Sequence, residues 1–315
     1  MLHISFARTK SRQFLEKAEK VLTKLRMFHT EITANEPRND VSATAVVTEM
    51  LDISPTVKKV VLRVDEPKFT FKSGQWVDFT ISGVDIVGGF SICSTPKLLR
   101  EQRLLELAVK KSKHPPVAWV HDKCRVGSTV QIQAGGEFFY DPRPSDPPKD
   151  LLLLAGGVGI NPVRSIILHD KDLYDDHYAK SFGHCPGHAT LLYCAKSPSE
   201  LLFKDDFMRI SDDINFQCVL FASQFKNVSD VGSKFTIHPG RITALDILST
   251  VTAKKGGKSW LDIKRVMCYI CGPREMVTSL VPALKECGIS DEQIAYEAWT
   301  VTPPPSPASI SKNAV

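Results

Sequence analysis

The sequence has no apolar run long enough to cross a bilayer as a helix. Its longest apolar stretch, Leu151–Gly157 and its surroundings, falls far short of the roughly 18 residues that a spanning helix requires, so no transmembrane segment is expected. Charge of one sign is also lacking: 40 basic and 35 acidic residues leave +5 over 315 positions. No lysine/arginine block gathers on one face, which removes nucleic acid as a default partner. No internal repeat is visible, and the 43% hydrophobic and 24% charged content excludes collagen and wholesale disorder. A disulfide framework is missing as well. Cys93, Cys124, Cys185, Cys194, Cys218, Cys268, Cys271 and Cys287 are scattered in mostly apolar segments, as reduced thiols are. Cys268-Tyr269-Ile270-Cys271 has no second ligand pair for zinc, and it ends a strand-like run rather than opening a helix as a redox motif does. It reads as two unrelated cysteines. His184-Cys185-Pro186-Gly187-His188 reads as an exposed turn with incidental histidines, so no metal site is expected.

What is present suits two domains, at roughly 100–200 residues each. Residues 1–40 form a basic leader in which no acid precedes Glu16, and the apolar spacing predicts an amphipathic helix over Ser11–Thr30. Two readings of it compete: a mitochondrial transit segment, or a helix docked on the body of an otherwise cytoplasmic protein. Residues 41–140 carry short β-rich runs at Ala45–Val47, Val57–Val64, Trp76–Ile81, Leu104–Val109 and Thr129–Gln133, the spacing of an antiparallel barrel or sandwich. The proline-rich stretch Asp141–Asp150 forbids regular structure and marks a linker. From residue 151 to 299 strands alternate with helices: Leu151–Ala155, Ala189–Ala195, Phe216–Phe221 and Val266–Ile270 are strands, and Pro162–Asp170, Ser199–Ile210 and Glu275–Cys287 are helices. That alternation implies a parallel sheet covered on both faces. Residues 300–315, with three consecutive prolines, read as a disordered tail.

The sharpest local signal is the strand Leu151–Ala155 running into Gly156-Gly157-Val158-Gly159-Ile160-Asn161-Pro162. Glycines let the backbone approach a ligand closely, Asn161 suits an N-cap and Pro162 the first helical position. Backbone N–H groups at such a helix start, with its dipole, make a site for a diphosphate. A second strand ends in Cys271-Gly272-Pro273, so two strand ends point at one crevice. Tyr296-Glu297-Ala298-Trp299 follows at the end of the folded region.

In this order the segments resemble the ferredoxin–NADP reductase superfamily over about residues 42–299. Gly156–Pro162 matches the family's pyrophosphate loop, Leu191–Phe203 its second strand and following helix, and Cys271-Gly272-Pro273 the turn beside the nicotinamide. Glu297 and Trp299 match its terminal acid and the aromatic covering the flavin. Val87–Ser94 and His114–His121 look closest to the oxidoreductase NAD-binding domain-containing proteins. The resemblance implies an antiparallel Greek-key β-barrel of flavin type, followed by a parallel-sheet α/β nucleotide-binding domain.

It further implies hydride transfer between nicotinamide and a bound flavin (FAD or FMN), with electrons passing to an external acceptor that the sequence does not name. Ser91, Cys271 and Glu297 are the implied catalytic residues. Gly156, Gly157, Val158, Gly159, Ile160, Asn161, Gly272 and Pro273 bind the nicotinamide dinucleotide, while Phe90 and Trp299 cover the flavin. Two departures stand out. Gly88 occupies the position of the family's phosphate-binding arginine, and His114-Pro115-Pro116 replaces a helix start that bears glycine and serine. These departures support a rival from another class, a non-catalytic NAD(H)-binding sensor that has lost flavin. Ser223 is kept after the third strand of the nucleotide domain, but Gln224 stands where NADP-preferring members have arginine, so NAD(H) is expected over NADP(H). Arg241, in Pro239–Thr243, matches a structural turn.

Overall fold

The computed structural model describes residues 29–211, 215–225 and 236–298. The leader up to residue 28, Trp299 and the tail lie outside the described residues; of the predicted leader helix, only its end falls within them, in the short α1 (His29–Ile32).

The first half of the body is a six-stranded antiparallel barrel built from β1 (Arg38–Ser54), β2 (Val57–Val64), β3 (Trp76–Ile81), β4 (Val84–Ser91), β5 (Leu104–Lys110) and β6 (Thr129–Gly135). The strand order is β4-β3-β6-β1-β2-β5, and an antiparallel bridge between Ile92 and Leu107 joins the two edges. β1 is long because register shifts at Val47/Glu49 and Asp52/Ser54 bend it, so that one strand pairs β6 with its first half and β2 with its second. Alternate residues of each strand, among them Ala45, Leu62, Val77, Phe79 and Ile132, fill the interior. β4 was not foreseen: Val87-Gly88-Gly89 breaks the alternation that marks a half-buried strand. The two-residue turn Ser82-Gly83, with Gly83 at φ +78°, nevertheless folds it back on β3 as a hairpin. Two short helices close the barrel: α2 (Pro96–Gln102), capped by the Thr95 hydroxyl, and α3 (Pro115–Asp122).

The second half is a six-stranded, wholly parallel sheet of β7 (Asp150–Gly156), β8 (Ala189–Ala195), β9 (Phe216–Ala222), β10 (Ile237–Pro239), β13 (Val266–Gly272) and β14 (Ile294–Ala298). A small hairpin, β11 (Lys254–Lys255) and β12 (Lys258–Ser259), lies apart from it. The order β10-β9-β8-β7-β13-β14 reverses direction between β7 and β13. Every residue of β7 is buried because helices cover both of its faces. Leu151, Leu153 and Ala155 pack with α4 (Ile160–Lys180) and α5 (Lys204–Ile210). Leu152 and Leu154 pack with α6 (Ala244–Thr252) and α7 (Arg274–Glu286).

Several predicted boundaries move. α4 runs to Lys180, ten residues past the expected end. The helix predicted over Ser199–Ile210 is a 3-10 turn at Pro198–Glu200 and then α5, with Phe203 in a left-handed conformation between them. The 184–188 loop is not an exposed turn. His184 is buried, with its Nε2 3.5 Å from the Tyr140 hydroxyl, because α4 carries Asp170 and His169 against the same tyrosine.

Three polar residues on the first turns of α4 tie it to the barrel. Asn161 donates to the Ala108 carbonyl at 2.7 Å and Ser165 to the Ser94 carbonyl at 2.6 Å. Arg164, one turn along from Asn161, donates to the Cys93 carbonyl at 2.6 Å and to Glu106 at 2.9 Å on the barrel side. On the α5 side it meets Asp206 at 2.8 Å and lies over the Phe203 ring. Replacing Arg164 with methionine strands the Cys93 carbonyl and leaves Glu106 with Lys59 at 3.1 Å and Asp206 with Arg209 as their remaining cations; it should cost about 2–3 kcal/mol in urea unfolding. A loss under ~1 kcal/mol would mean that Lys59 and Arg209 compensate both carboxylates without Arg164.

Candidate nucleotide-binding site

β7 ends at Gly156, a 3-10 turn follows over Gly157–Gly159, and α4 begins at Ile160. The expected capping is corrected here. The N-cap is Gly159, Asn161 is the second helical residue and Pro162 the third, because the Asn161 amide is drawn across to the barrel instead of back onto its own helix. The missing Pro162 N–H costs nothing, since the first-turn donors have no intrahelical partner in any case.

The three glycines have separate reasons. A Cβ on Gly159 would fall on the Cys271 carbonyl, and one on Gly156 would lie 2.6 Å from the Met276 sulfur and 2.8 Å from the Pro273 ring. Gly272 answers from the other side, its absent Cβ facing the Gly156 backbone at 3.2 Å. The two turns therefore touch through main chain at the place where the sheet changes direction. Gly157 differs: it has φ +56° and nothing within 4 Å of a Cβ, so it is open toward solvent.

That open side is one end of a cleft of about 350 Å³. Gly156, Gly157, Pro273 and Met276 line it at the glycine turn, and Ala195, Lys196, Ser223 and Arg241 line it beyond the ends of β8 and β9. Lys110 of the barrel also reaches it. Among the described residues, three cations against the single anion Glu275, beside the positive end of a 21-residue helix, make the cleft attractive to a diphosphate. Arg241, expected to be a structural turn residue, lines this cleft, because Gly240 at φ +100° turns the chain back after β10. Lys196 and Arg241 were missed as cleft residues since neither belongs to the glycine turn; only their positions just past strand ends could have signalled them.

Cys271 and Glu297 are partners in register on β13 and β14, so both side chains stand on the same face of the sheet. Cys271 is fully buried in the cluster that also takes in Cys93 and Ala108 of the barrel. Cys268, three residues earlier, belongs to the opposite face, and burial pushes its thiol up to about 12; the two cysteines do not form a pair. Glu297 Oε2 is sequestered with no hydrogen-bond partner. Burial, with the nearby Glu36 carboxylate, pushes this carboxyl up to about 8, so it is protonated at neutral pH.

On the barrel side, the residues that the resemblance assigns to a flavin divide into two groups. Ser91 Oγ is buried without a partner, a second orphaned polar atom. It points away from Phe90, whose ring lies edge-on to Phe79 at 5.1 Å at the border of the barrel core. Trp299 lies outside the described residues. The phosphate half does not fit. A Cβ at Gly88 would lie 2.9 Å from the Pro116 side chain, so α3 leaves no room for a side chain at this position. Prolines at the first two positions of α3 remove the first two N–H donors of that helix, and the His114 side chain at its N-cap accepts nothing from the helix's own N–H groups.

Gly159→Ala should lower the thermal midpoint markedly, because the Cys271 carbonyl is backbone and cannot step aside. Gly157→Ala should cost only about 1 kcal/mol, for its positive φ. Equal losses in a thermal melt would show that the turn is looser than the packing of Gly156 on Gly272 requires.

Comparison with known proteins agrees with this geometry. The sequence profile of the Oxidoreductase NAD-binding domain matches residues 153–281. The Oxidoreductase NAD-binding domain-containing protein 1 of Xenopus tropicalis is 44% identical over 273 residues, 86% of this chain and 83% of that protein. Among solved structures, the Amycolatopsis cytochrome P450 reductase aligns with a TM-score of 0.65 at 22% identity, over 85% of this chain and 72% of its own. A ferredoxin NADP+ reductase from Neisseria gonorrhoeae with bound FAD and NADP aligns with a TM-score of 0.62 at 19% identity, over 83% of this chain and 100% of its own. At those identities the structural likeness establishes the fold, a flavin-type barrel joined to an α/β NAD-binding domain. The relationship in sequence goes further: the chain belongs to the family of oxidoreductase NAD-binding domain-containing proteins.

Proposed function

We propose that the chain is an NAD(P)H-dependent oxidoreductase that passes a hydride from the nicotinamide to a flavin and electrons onward to an external acceptor. The observation that carries this reading is the contact of Gly156 with Gly272, which sets an open, cationic nucleotide cleft directly beside the Cys271–Glu297 pair. Backbone N–H groups of Gly157–Asn161 take the diphosphate, and the Pro273 turn holds the nicotinamide half. Cys271 touches the nicotinamide ring. Ser91 and Glu297, each with a buried polar atom awaiting a partner, hold and move the proton that accompanies the hydride. A flavin, when bound, supplies the two-electron acceptor.

The choice of donor rests on the far end of the cleft. Gln224 in place of arginine favours NAD(H), whereas Lys196 and Arg241 beside Ser223 offer charge to a 2′-phosphate. Arg241→Ala should accordingly weaken NADPH binding by about tenfold relative to NADH, one charge-assisted hydrogen bond, in a fluorescence titration. An unchanged ratio would remove Arg241 from the nucleotide site.

A second reading, a nucleotide-binding sensor without flavin, is favoured by the closure of Gly88 against Pro116. The two separate on turnover. In the oxidoreductase reading, NADH oxidation with added flavin falls as pH rises through about 8, where Glu297 loses its proton, and Glu297→Gln flattens that limb. NADH that binds but is not oxidised with any flavin at any pH decides for the sensor.

A further inference from the structure

The mismatch between the two halves of the flavin site has a consequence of its own. Where the ring system of a flavin would lie, the protein offers two buried polar atoms without partners, Ser91 Oγ and Glu297 Oε2. Where the resemblance places the phosphates of a flavin nucleotide, the arginine and the first two N–H donors of the helix are missing. Pro116 sits where a side chain at Gly88 would need to go, and Pro115 and Pro116 strip the first two donors from α3. Of the cations that could compensate, three are engaged elsewhere, and Lys113, at the foot of α3, is exposed to solvent, where water screens its charge. Arg63 pairs with Asp65 at 3.0 Å, Arg125 folds back onto the carbonyls of Cys124 and Asp122, and Lys110 lines the nucleotide cleft near Glu200.

From this we infer that the barrel takes a flavin by its ring alone, as an exchangeable substrate and not as a resident nucleotide. The inference rests on the oxidoreductase reading and deepens it by naming the acceptor class: an isoalloxazine, whatever its tail. The reaction is NAD(P)H plus a proton plus oxidised flavin giving NAD(P)+ and reduced flavin. The nicotinamide gives up a hydride, the flavin gains that hydride and one proton, and two electrons move in all. Reduced flavin then leaves and carries them away. Losing two charge-assisted phosphate contacts weakens a flavin nucleotide on the order of a hundredfold or more, enough to turn a retained group into a dissociating one.

The test uses the full chain after gel filtration, with initial rates of NADH and NADPH oxidation under excess riboflavin, FMN or FAD. The expected result is a protein that emerges without flavin and turns over all three, with KM values within about threefold of one another, because the tail makes no contact worth a further factor of ten. Ser91→Ala should raise all three KM values together. FAD retained one-to-one through gel filtration, or a KM for FAD or FMN more than about tenfold below that for riboflavin, would overturn the inference while leaving the oxidoreductase reading intact. Nucleotide binding in a titration with no oxidation by any of the three flavins would overturn both, which separates the two failures.

Discussion

A guanidinium buried between two layers must find an anion or carbonyl on each of its edges, and Arg164 does. Its fork takes the Cys93 carbonyl and Glu106 from the barrel and Asp206 from α5, with Phe203 beneath its plane. Without those partners its burial would be prohibitive; with them, α4 can sit in only one place relative to the barrel. Asn161 and Ser165, on the same face of the helix, add bonds to the Ala108 and Ser94 carbonyls. Because α4 starts at the glycine turn, whatever fixes the helix also fixes the turn. The nucleotide cleft is thereby positioned from the barrel side, although most of its lining comes from the other half.

The second constraint is main-chain contact. β7 and β13 leave the sheet in opposite senses of the topology, and a crevice opens beyond their ends. Gly156, Gly159 and Gly272 allow the two turns to close on each other until a methyl group would not fit. Gly157 faces out and leaves room at the mouth. Charge follows the same geography: Lys110, Lys196 and Arg241 stand around the cleft although the chain as a whole is close to neutral. On the neighbouring strand, burial keeps Glu297 protonated at neutral pH.

Much of this was legible in the sequence, for identifiable reasons. Leu151–Ala155 is apolar at every position because a central parallel strand has no solvent face, and the glycines after it announce a close approach. What the pattern hid falls into two kinds. β4 was invisible because Gly88 and Gly89 erase its alternation, and it is held by pairing with β3 instead of by its own side chains. The role of Asn161 was hidden differently. Beside a helix start it looks like a cap, and only the distant Ala108 carbonyl makes it a link between layers. Arg241 and Lys196 belong to that second kind, since residues far apart in the chain meet only where several strands end. The Gly88 departure from the family pattern, by contrast, was readable beforehand, and Pro116 supplies its physical cause.

In the proposed function the nicotinamide enters between the sheet and the barrel, beside Cys271 and Glu297, with its diphosphate on the glycine turn. A crystal structure of the chain with NAD+ measures this directly. The expected result is diphosphate oxygens within hydrogen-bonding distance of the Gly157–Asn161 backbone and the nicotinamide ring against Cys271. A nucleotide bound elsewhere, or one whose nicotinamide points out past Ser279 into solvent, would contradict it.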